Sequence, residues 1–242
     1  MTQPLIRPRG TGLSAATTRT GPPPVERPAP LREAVYDALV EMIITAELQP
    51  GQHLVENDLA AHLGVSRQPV REALQRMQTE GWVDLRPALG AFVHVPTEDE
   101  ADQLLAARTL LETESARLAA EHATPAQVEH LWELHRAGEA ALAADDQEGL
   151  VAANASLHSH IVAMSGNKVL ADLIGSVDRR VRWYYLPIAR ARGKDAWDEH
   201  AALITAIANG DGVRTGNLMR RHTERTRETY HQRRRKAAEE TT

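Results

Sequence analysis

Two arginines and a glutamine near residue 70 have the types and spacing needed to contact DNA bases. Arg67 and Arg71 are one helical turn apart, and Gln68 lies beside them. Guanidinium and amide groups form paired hydrogen bonds with base edges in the major groove. The same segment has an apolar stripe that would face a core, formed by Val70, Ala73, Leu74 and Met77. We therefore predict that residues 66–77 form a helix whose polar face contacts DNA.

Three histidines in the C-terminal half could bind a metal ion together with one asparagine. Asn154 and His158 are four residues apart, so they project from one face of a helix. His200 and His222 lie at similar distances before and after the turn Gly210–Gly212, so an antiparallel hairpin would set them opposite each other. Three imidazoles and an amide oxygen suit a divalent transition metal such as zinc, manganese or nickel. Chance placement, in a chain with 11 histidines, is the alternative that spacing leaves open.

The elements before residues 66–77 predict a helix-turn-helix. A short helix over residues 56–63 would end at Gly64, a residue that favours the left-handed conformation of helix C-caps. Ser66 is placed to cap the next helix, with its hydroxyl accepting from the first-turn amides. A helix, a three-residue turn and a second helix have the spacing of a DNA-binding helix-turn-helix.

A wing is predicted to follow. Residues 82–86 and 91–95 have the composition of two short strands around a turn. Such a hairpin can lie along the phosphate backbone, and Gly90 would let its tip approach closely. Because residues 31–95 hold more acidic than basic side chains, DNA affinity would depend on individual arginines, including Arg32, and on salt. A module used for packing or protein contact alone is the alternative.

Several runs in this region resemble the GntR family of bacterial regulators. They are Asp58–Ala60, Leu63–Arg67, Pro69–Leu74 and Gly81–Val83. The resemblance implies that Arg67, Gln68 and Arg71 contact double-stranded operator DNA, with Ser66 and Gly90 assisting.

Composition and segment boundaries favour a cytoplasmic protein of two domains. The 242 residues contain no cysteine and carry a net charge of −5. No apolar run approaches the roughly 20 residues of a membrane span, and no secretory signal is recognisable. We expect a DNA-binding domain at residues 31–96, an all-helical domain at 97–236, and disordered tails at 1–30 and 237–242.

The second domain is predicted to be an antiparallel helical bundle, because Ala, Leu and Glu are abundant and apolar residues recur at helical spacing. The expected helices lie near residues 98–121, 125–144, 147–165, 168–187, 195–208 and 212–234. Arg182 and Tyr185, in the fourth of these helices, belong to a cationic and aromatic cluster. We interpret that cluster as core packing, with a place in a ligand pocket as the alternative.

This bundle resembles the FCD effector domain, which makes the chain similar to the FadR subfamily of GntR regulators. The matching residues are Arg108–Glu112, Asn154, Leu157–His158, Ser165–Asn167, Glu199–His200 and Arg221–His222. The resemblance implies a metal held by Asn154, His158, His200 and His222, and a small carboxylate effector against it. Arg108 is the candidate to bind the effector carboxylate with its guanidinium fork. An exposed arginine paired with Glu112 is the alternative.

These features predict a transcriptional regulator, and the family resemblance implies that it is a repressor. It would bind a pseudo-palindromic operator as a homodimer, and the effector would change DNA affinity through the helical domain. One alternative is a sensor in which the metal alone is the signal. Another is a metal-dependent hydrolase, since a metal with open positions could activate water. Against the hydrolase, the sequence shows no candidate general base beside the histidines.

Overall fold

The computed structural model describes residues 31–240 and confirms a mainly helical chain, with an N-terminal winged helix-turn-helix and a C-terminal all-α bundle. The tail predicted at residues 1–30 lies outside the described residues. Among the helices in 31–240, none combines the length and apolar character that a membrane crossing requires.

The N-terminal domain places its DNA-facing helix between a helical support and a small sheet. Its elements are α1 (Leu31–Ile44), β1 (His53–Leu54), α2 (Glu56–Leu63), α3 (Arg67–Thr79), β2 (Val83–Arg86) and β3 (Gly90–Val93). The strand β1 was not predicted, because two residues are too few to show a period. It pairs antiparallel with β3, giving the sheet order β1-β3-β2.

The ends of α2 and α3 fix the angle at which α3 is presented. Gly64 adopts a left-handed conformation with φ of 66°, as predicted for the C-cap of α2. Ser66 is the N-cap residue of α3, but its hydroxyl makes no capping bond, so that detail of the prediction is wrong. Ser66 is exposed. The predicted apolar stripe of α3 is buried.

The C-terminal domain is a bundle of long helices joined by short turns. Its elements are α4 (Glu98–His122), α5 (Pro125–Ala143), α6 (Gln147–Met164), α7 (Lys168–Tyr185), a 3-10 turn (Leu186–Ile188), α8 (Ala189–Ala208) and α9 (Gly212–Glu240). A capping box of Thr97 and Glu100 starts α4. Helix α8 begins earlier than expected and bends at Gly193, where φ is 23°. Helix α9 continues to Glu240, past the expected boundary at residue 236.

The two domains pack through α7. The Trp183 ring lies 5.5 Å from that of Trp82, which follows α3. The Arg182 guanidinium contacts Glu41 of α1 at 2.8 Å. Because Trp82 and Trp183 belong to one buried apolar cluster, the core of the DNA-binding domain continues into the helical bundle.

Candidate functional site

The arginines predicted to contact DNA lie together on α3 and share one carboxylate. Arg71 donates to Glu56 from Nε at 3.0 Å and from a terminal nitrogen at 2.8 Å. Arg67 donates to the same carboxylate at 3.1 Å. Hydrogen bonds from Arg71, then from Arg67, hold the pKa of Glu56 at about 2. Both arginines remain exposed, so Glu56 orders them at the surface without burying them.

A groove of about 660 Å³ separates α3 from the wing, and Arg67, Arg71, Arg86 and Gly90 are among its lining residues. The Arg86 guanidinium lies 4.2 Å from the centre of the Phe92 ring, which holds it against the wing. Gly90 has φ of 97°, a conformation that side chains disfavour. The groove therefore has a basic wall on the helix and a basic group on the wing.

The other predicted DNA contacts, Gln68, Ser66 and Arg32, are not among the residues that line this groove. Gln68 is exposed on α3 and donates to Glu72 at 2.8 Å. Ser66 is exposed at the N-terminus of α3. Arg32 lies at the start of α1 and is not among the lining residues, so any contact it makes with DNA would be outside the groove.

The three predicted metal ligands meet at the centre of the helical domain. His158 of α6, His200 of α8 and His222 of α9 are all buried, and their ligand atoms lie within 4.8 Å of one another. The Nε2 atom of His200 is 3.2 Å from the Nε2 atoms of His158 and of His222. Nitrogens bound tetrahedrally to one zinc ion lie about 3.3 Å apart, so the spacing suits a metal. We call this group the histidine triad.

Two glutamates orient two of these rings. Nδ1 of His158 lies 2.7 Å from Glu112, and Nδ1 of His222 lies 2.7 Å from Glu199. Each carboxylate accepts a hydrogen bond from the Nδ1–H group, which leaves a lone pair on Nε2 facing the centre. The structure therefore presets both rings as metal ligands.

The remaining polar groups also fit a cation. His200 is fully buried, and its Nδ1 atom has no hydrogen-bond partner. The side-chain oxygen of Asn154 is buried without a partner too. Because His158 and His222 each have a lone pair on Nε2, the single Nε2–H group of His200 can donate a hydrogen bond to only one of them. A divalent cation would accept all three lone pairs, and an amide oxygen is a suitable further ligand.

Burial lowers the pKa values of His200 and His222 and keeps both imidazoles neutral, whereas hydrogen bonds keep Glu199 charged. Burial lowers the pKa of His222 to about 4 and that of His200 well below its usual value. Burial alone would raise the pKa of Glu199, but hydrogen bonds from His222, Arg225 and Arg192 bring it to about 2. Metal binding needs deprotonated ligands, and the lowered pKa values of His200 and His222 supply two of them at neutral pH.

Arg108 lies beside the triad, in the position predicted for an effector contact. Its Nε donates to Glu112 at 2.8 Å, and a terminal nitrogen lies 3.4 Å from Nδ1 of His158. The expected alternative, an exposed pair with Glu112, is right about the partner and wrong about the exposure, since both side chains are buried. The guanidinium is thus placed within the site.

The roles of the two glutamates and of Arg192 were not foreseen. Glu112 and Glu199 lie beside the triad, so the expectation that no candidate base is near it is wrong. Each carboxylate bonds an Nδ1 atom, on the ring edge away from the centre, and an arginine as well. The four-residue spacing of Arg108 and Glu112, which places them on one face of a helix, could have predicted their contact. No local pattern connects Glu199 to His222, because the helix pair alone brings them together.

Both domains match families of known proteins. Residues 31–93 match the bacterial regulatory proteins of the gntR family, and residues 103–225 match the FCD domain. The Nta operon transcriptional regulator of Aminobacter aminovorans is 31% identical over 148 residues, which cover 59% of this chain and 67% of that protein. The regulator LutR of Bacillus subtilis (strain 168) is 28% identical over 205 residues, covering 75% of this chain and 92% of LutR.

A solved structure shows the same fold. E. coli McbR/YncC superposes with a TM-score of 0.75 at 23% identity, covering 85% of this chain and 99% of that one.

Proposed function

Because the chain belongs to the GntR family of bacterial regulatory proteins and carries an FCD domain, and is thus a transcriptional regulator, we propose that it is a repressor controlled by a small carboxylate. The carboxylate would bind with a divalent metal in the helical domain and weaken operator binding. The observation that supports this most is the buried histidine triad, with two rings oriented by glutamates. The buried, unpartnered amide oxygen of Asn154 lies one helical turn before His158 on α6.

In this proposal His158, His200 and His222 hold the metal through Nε2, and Asn154 contributes its amide oxygen. When bound, the metal supplies a Lewis acid to which an effector carboxylate can attach. Arg108 lies at the same site and would bind a carboxylate oxygen through N–H groups not used by Glu112. A neutral amide attracts a cation less than a carboxylate does, so an anionic effector would strengthen metal binding.

On the DNA side, Arg67, Gln68 and Arg71 would contact base edges, assisted by Ser66, Gly90 and Arg32. One helix-turn-helix contacts few base pairs, so we propose a homodimer on a pseudo-palindromic operator in the cytoplasm. Effector binding would move the bundle helices and change the spacing of the two α3 helices. Repression relieved by ligand is the form that the family resemblance favours.

The first test is the metal content of the purified full chain, measured by mass spectrometry. We expect about one metal per subunit, and its loss in the double variant His158→Ala, His200→Ala. His122→Ala, which removes an exposed histidine, is the matched control and should keep the metal. Absence of metal from the wild type, even after supplementation, would contradict the metal site and leave DNA binding unaffected.

The second test measures operator affinity of the metal-loaded chain with and without carboxylates that raise its melting temperature. Release of DNA by such a carboxylate supports the proposal. Tighter DNA binding in its presence would overturn the repressor form. Release by metal alone would favour the metal sensor instead.

A further inference from the structure

Two buried chains of contacts end at two different histidines of the triad. In the first, Arg108 donates to Glu112, which accepts from Nδ1 of His158. In the second, Arg192 donates to Glu199, which accepts from Nδ1 of His222 at 2.7 Å. The two chains use different helices, α4 with α6 and α8 with α9, yet they have the same order of arginine, glutamate and histidine. His158 and His222 therefore each bond a glutamate that is itself bonded by a buried arginine.

Two buried polar groups, one in the second chain and one on α7, have no hydrogen-bond partner in the protein. Arg192 is 6% exposed, and its Nε atom has no hydrogen-bond partner. The hydroxyl of Tyr185 is also buried without a partner, and this residue is 4% exposed. Buried donors without partners are costly, and they are expected where a ligand completes the hydrogen bonding.

Charged groups of both chains act on the hydroxyl of Tyr185. Burial raises the pKa of its hydroxyl to about 12, and the charges of Arg192, Arg108 and Glu199 all act on it. The phenol is therefore neutral and can donate a hydrogen bond. It comes from the end of α7, and Arg192 follows the 3-10 turn in the first part of α8.

The charge of the site suits a ligand with two negative charges. The positive charges of Arg108 and Arg192 balance the negative charges of their partners, Glu112 and Glu199. A divalent metal on neutral imidazoles would leave two positive charges in a buried site, and uncompensated buried charge is unfavourable. One monocarboxylate would neutralise half of this charge, whereas a dicarboxylate would neutralise all of it.

On the premise of the proposed carboxylate effector, we propose that this effector is a short dicarboxylate held at both ends. One carboxylate would bind beside Arg108, and the other would accept hydrogen bonds from Arg192 and Tyr185. Arg192 and Tyr185 are then specificity-determining residues, because they favour dicarboxylates over monocarboxylates of the same chain length.

The test compares matched acids on zinc-loaded full chain by titration calorimetry. The probes are malonate, succinate, glutarate and adipate, each against the monocarboxylate with the same number of carbons. We expect at least one dicarboxylate to bind tenfold or more tightly than its matched monocarboxylate. Tyr185→Phe and Arg192→Lys should each reduce that ratio at least fivefold and leave monocarboxylate affinity within twofold of wild type. The same series on metal-free protein should show a smaller preference that is also reduced by Tyr185→Phe.

Control variants change neighbouring groups of the same kind. Arg190→Lys alters an exposed arginine paired with Asp145, and Tyr184→Phe alters the adjacent tyrosine. Both should keep the wild-type ratio, and zinc content verifies that every variant has an intact site. If Arg192→Lys does not fold, Tyr185→Phe, which removes one oxygen and keeps the ring, decides the question.

Three results would overturn the inference. Equal affinity for a dicarboxylate and its matched monocarboxylate would contradict the proposed dicarboxylate preference. It would not contradict the proposed carboxylate effector. Equal loss of affinity for both acids in Tyr185→Phe would show a structural role. No binding of any acid to zinc-loaded protein would overturn both this inference and the proposed effector class.

Discussion

At the scale of single residues, Glu56 determines how the arginines of α3 are presented to DNA. Its carboxylate bonds Arg67 and Arg71, and those bonds compete with contacts to bases and phosphates. We expect Glu56→Gln to tighten binding to non-specific DNA by about three- to tenfold at low salt, because one negative charge near phosphate is removed. The ratio of operator to non-specific affinity should fall, since the arginines lose a fixed partner. Fluorescence anisotropy with both duplexes measures this.

Glu72→Gln is the matched control for that change. It removes the same charge from the exposed face of α3, but Glu72 bonds Gln68 and neither arginine. It should raise the affinity for both duplexes by a similar factor and leave the ratio of operator to non-specific affinity nearly constant. Weaker binding of Glu56→Gln to both duplexes would instead mean that Glu56 holds the arginines in their bound geometry.

Asn154 is the single residue expected to set the strength of the proposed metal site. Its oxygen is buried without a partner, so an aspartate there would add a charged ligand in the same place. We expect Asn154→Asp to raise zinc affinity by about tenfold or more. The metal-free variant should melt at a lower temperature than wild type, because the new carboxylate is buried without a counter-charge. Competition with a chelator and thermal melts test both expectations, and Asn154→Ala should weaken zinc binding.

At the scale of helices, close packing of α5 on α8 fixes one wall of the histidine triad. A Cβ atom on Gly138 would lie 1.6 Å from the Trp197 ring, and that ring lies 4.8 Å from the ring of His200. We expect Gly138→Ala to destabilise the chain by about 2 kcal/mol and to weaken zinc binding by displacing Trp197. Gly175→Ala, on α7 with no atom near the added carbon, should be neutral or stabilising in the same denaturation series. Unchanged zinc affinity in Gly138→Ala would show that Trp197 does not support His200.

Helix α7 connects the two domains, which makes it the candidate route for coupling. Arg179 contacts Asp37 and Arg182 contacts Glu41, both at 2.8 Å and both on α1. Tyr185, on the same helix, is one of the residues proposed to bind the effector. We expect the double variant Asp37→Asn, Glu41→Gln to reduce the effect of effector on operator affinity by about threefold or more, with effector affinity retained.

Operator titrations with and without zinc and the best carboxylate measure this coupling. Glu47→Gln removes an exposed acid of the same domain that contacts His62 and not α7, so it should keep the full response. A full response in the double variant would assign the coupling to other contacts, such as the Trp82–Trp183 pair.

For the whole molecule, local patterns predicted the elements, and long-range contacts supplied what those patterns lacked. The helix with Arg67 and Arg71, its buried stripe and the triad of histidines follow from spacing along single helices or about one turn. The two-residue strand β1 and the Glu199–His222 bond arise only from packing, since neither has a period in the sequence. The bond between Glu56 and Arg71 joins two helices, so no spacing within one helix could have predicted it.

The arrangement of the operator tests the proposed dimer as a unit. Each α3 helix presents few base contacts, so two linked helices on two half-sites would bind far more tightly than one, by about 100-fold or more. Inserting about half a helical turn of DNA, roughly five base pairs, between the half-sites places them on opposite faces of the duplex. We expect operator affinity to fall to that of an isolated half-site, while the same insertion outside the operator changes nothing. Electrophoretic mobility shifts measure this, and unchanged affinity would mean that each subunit binds DNA independently.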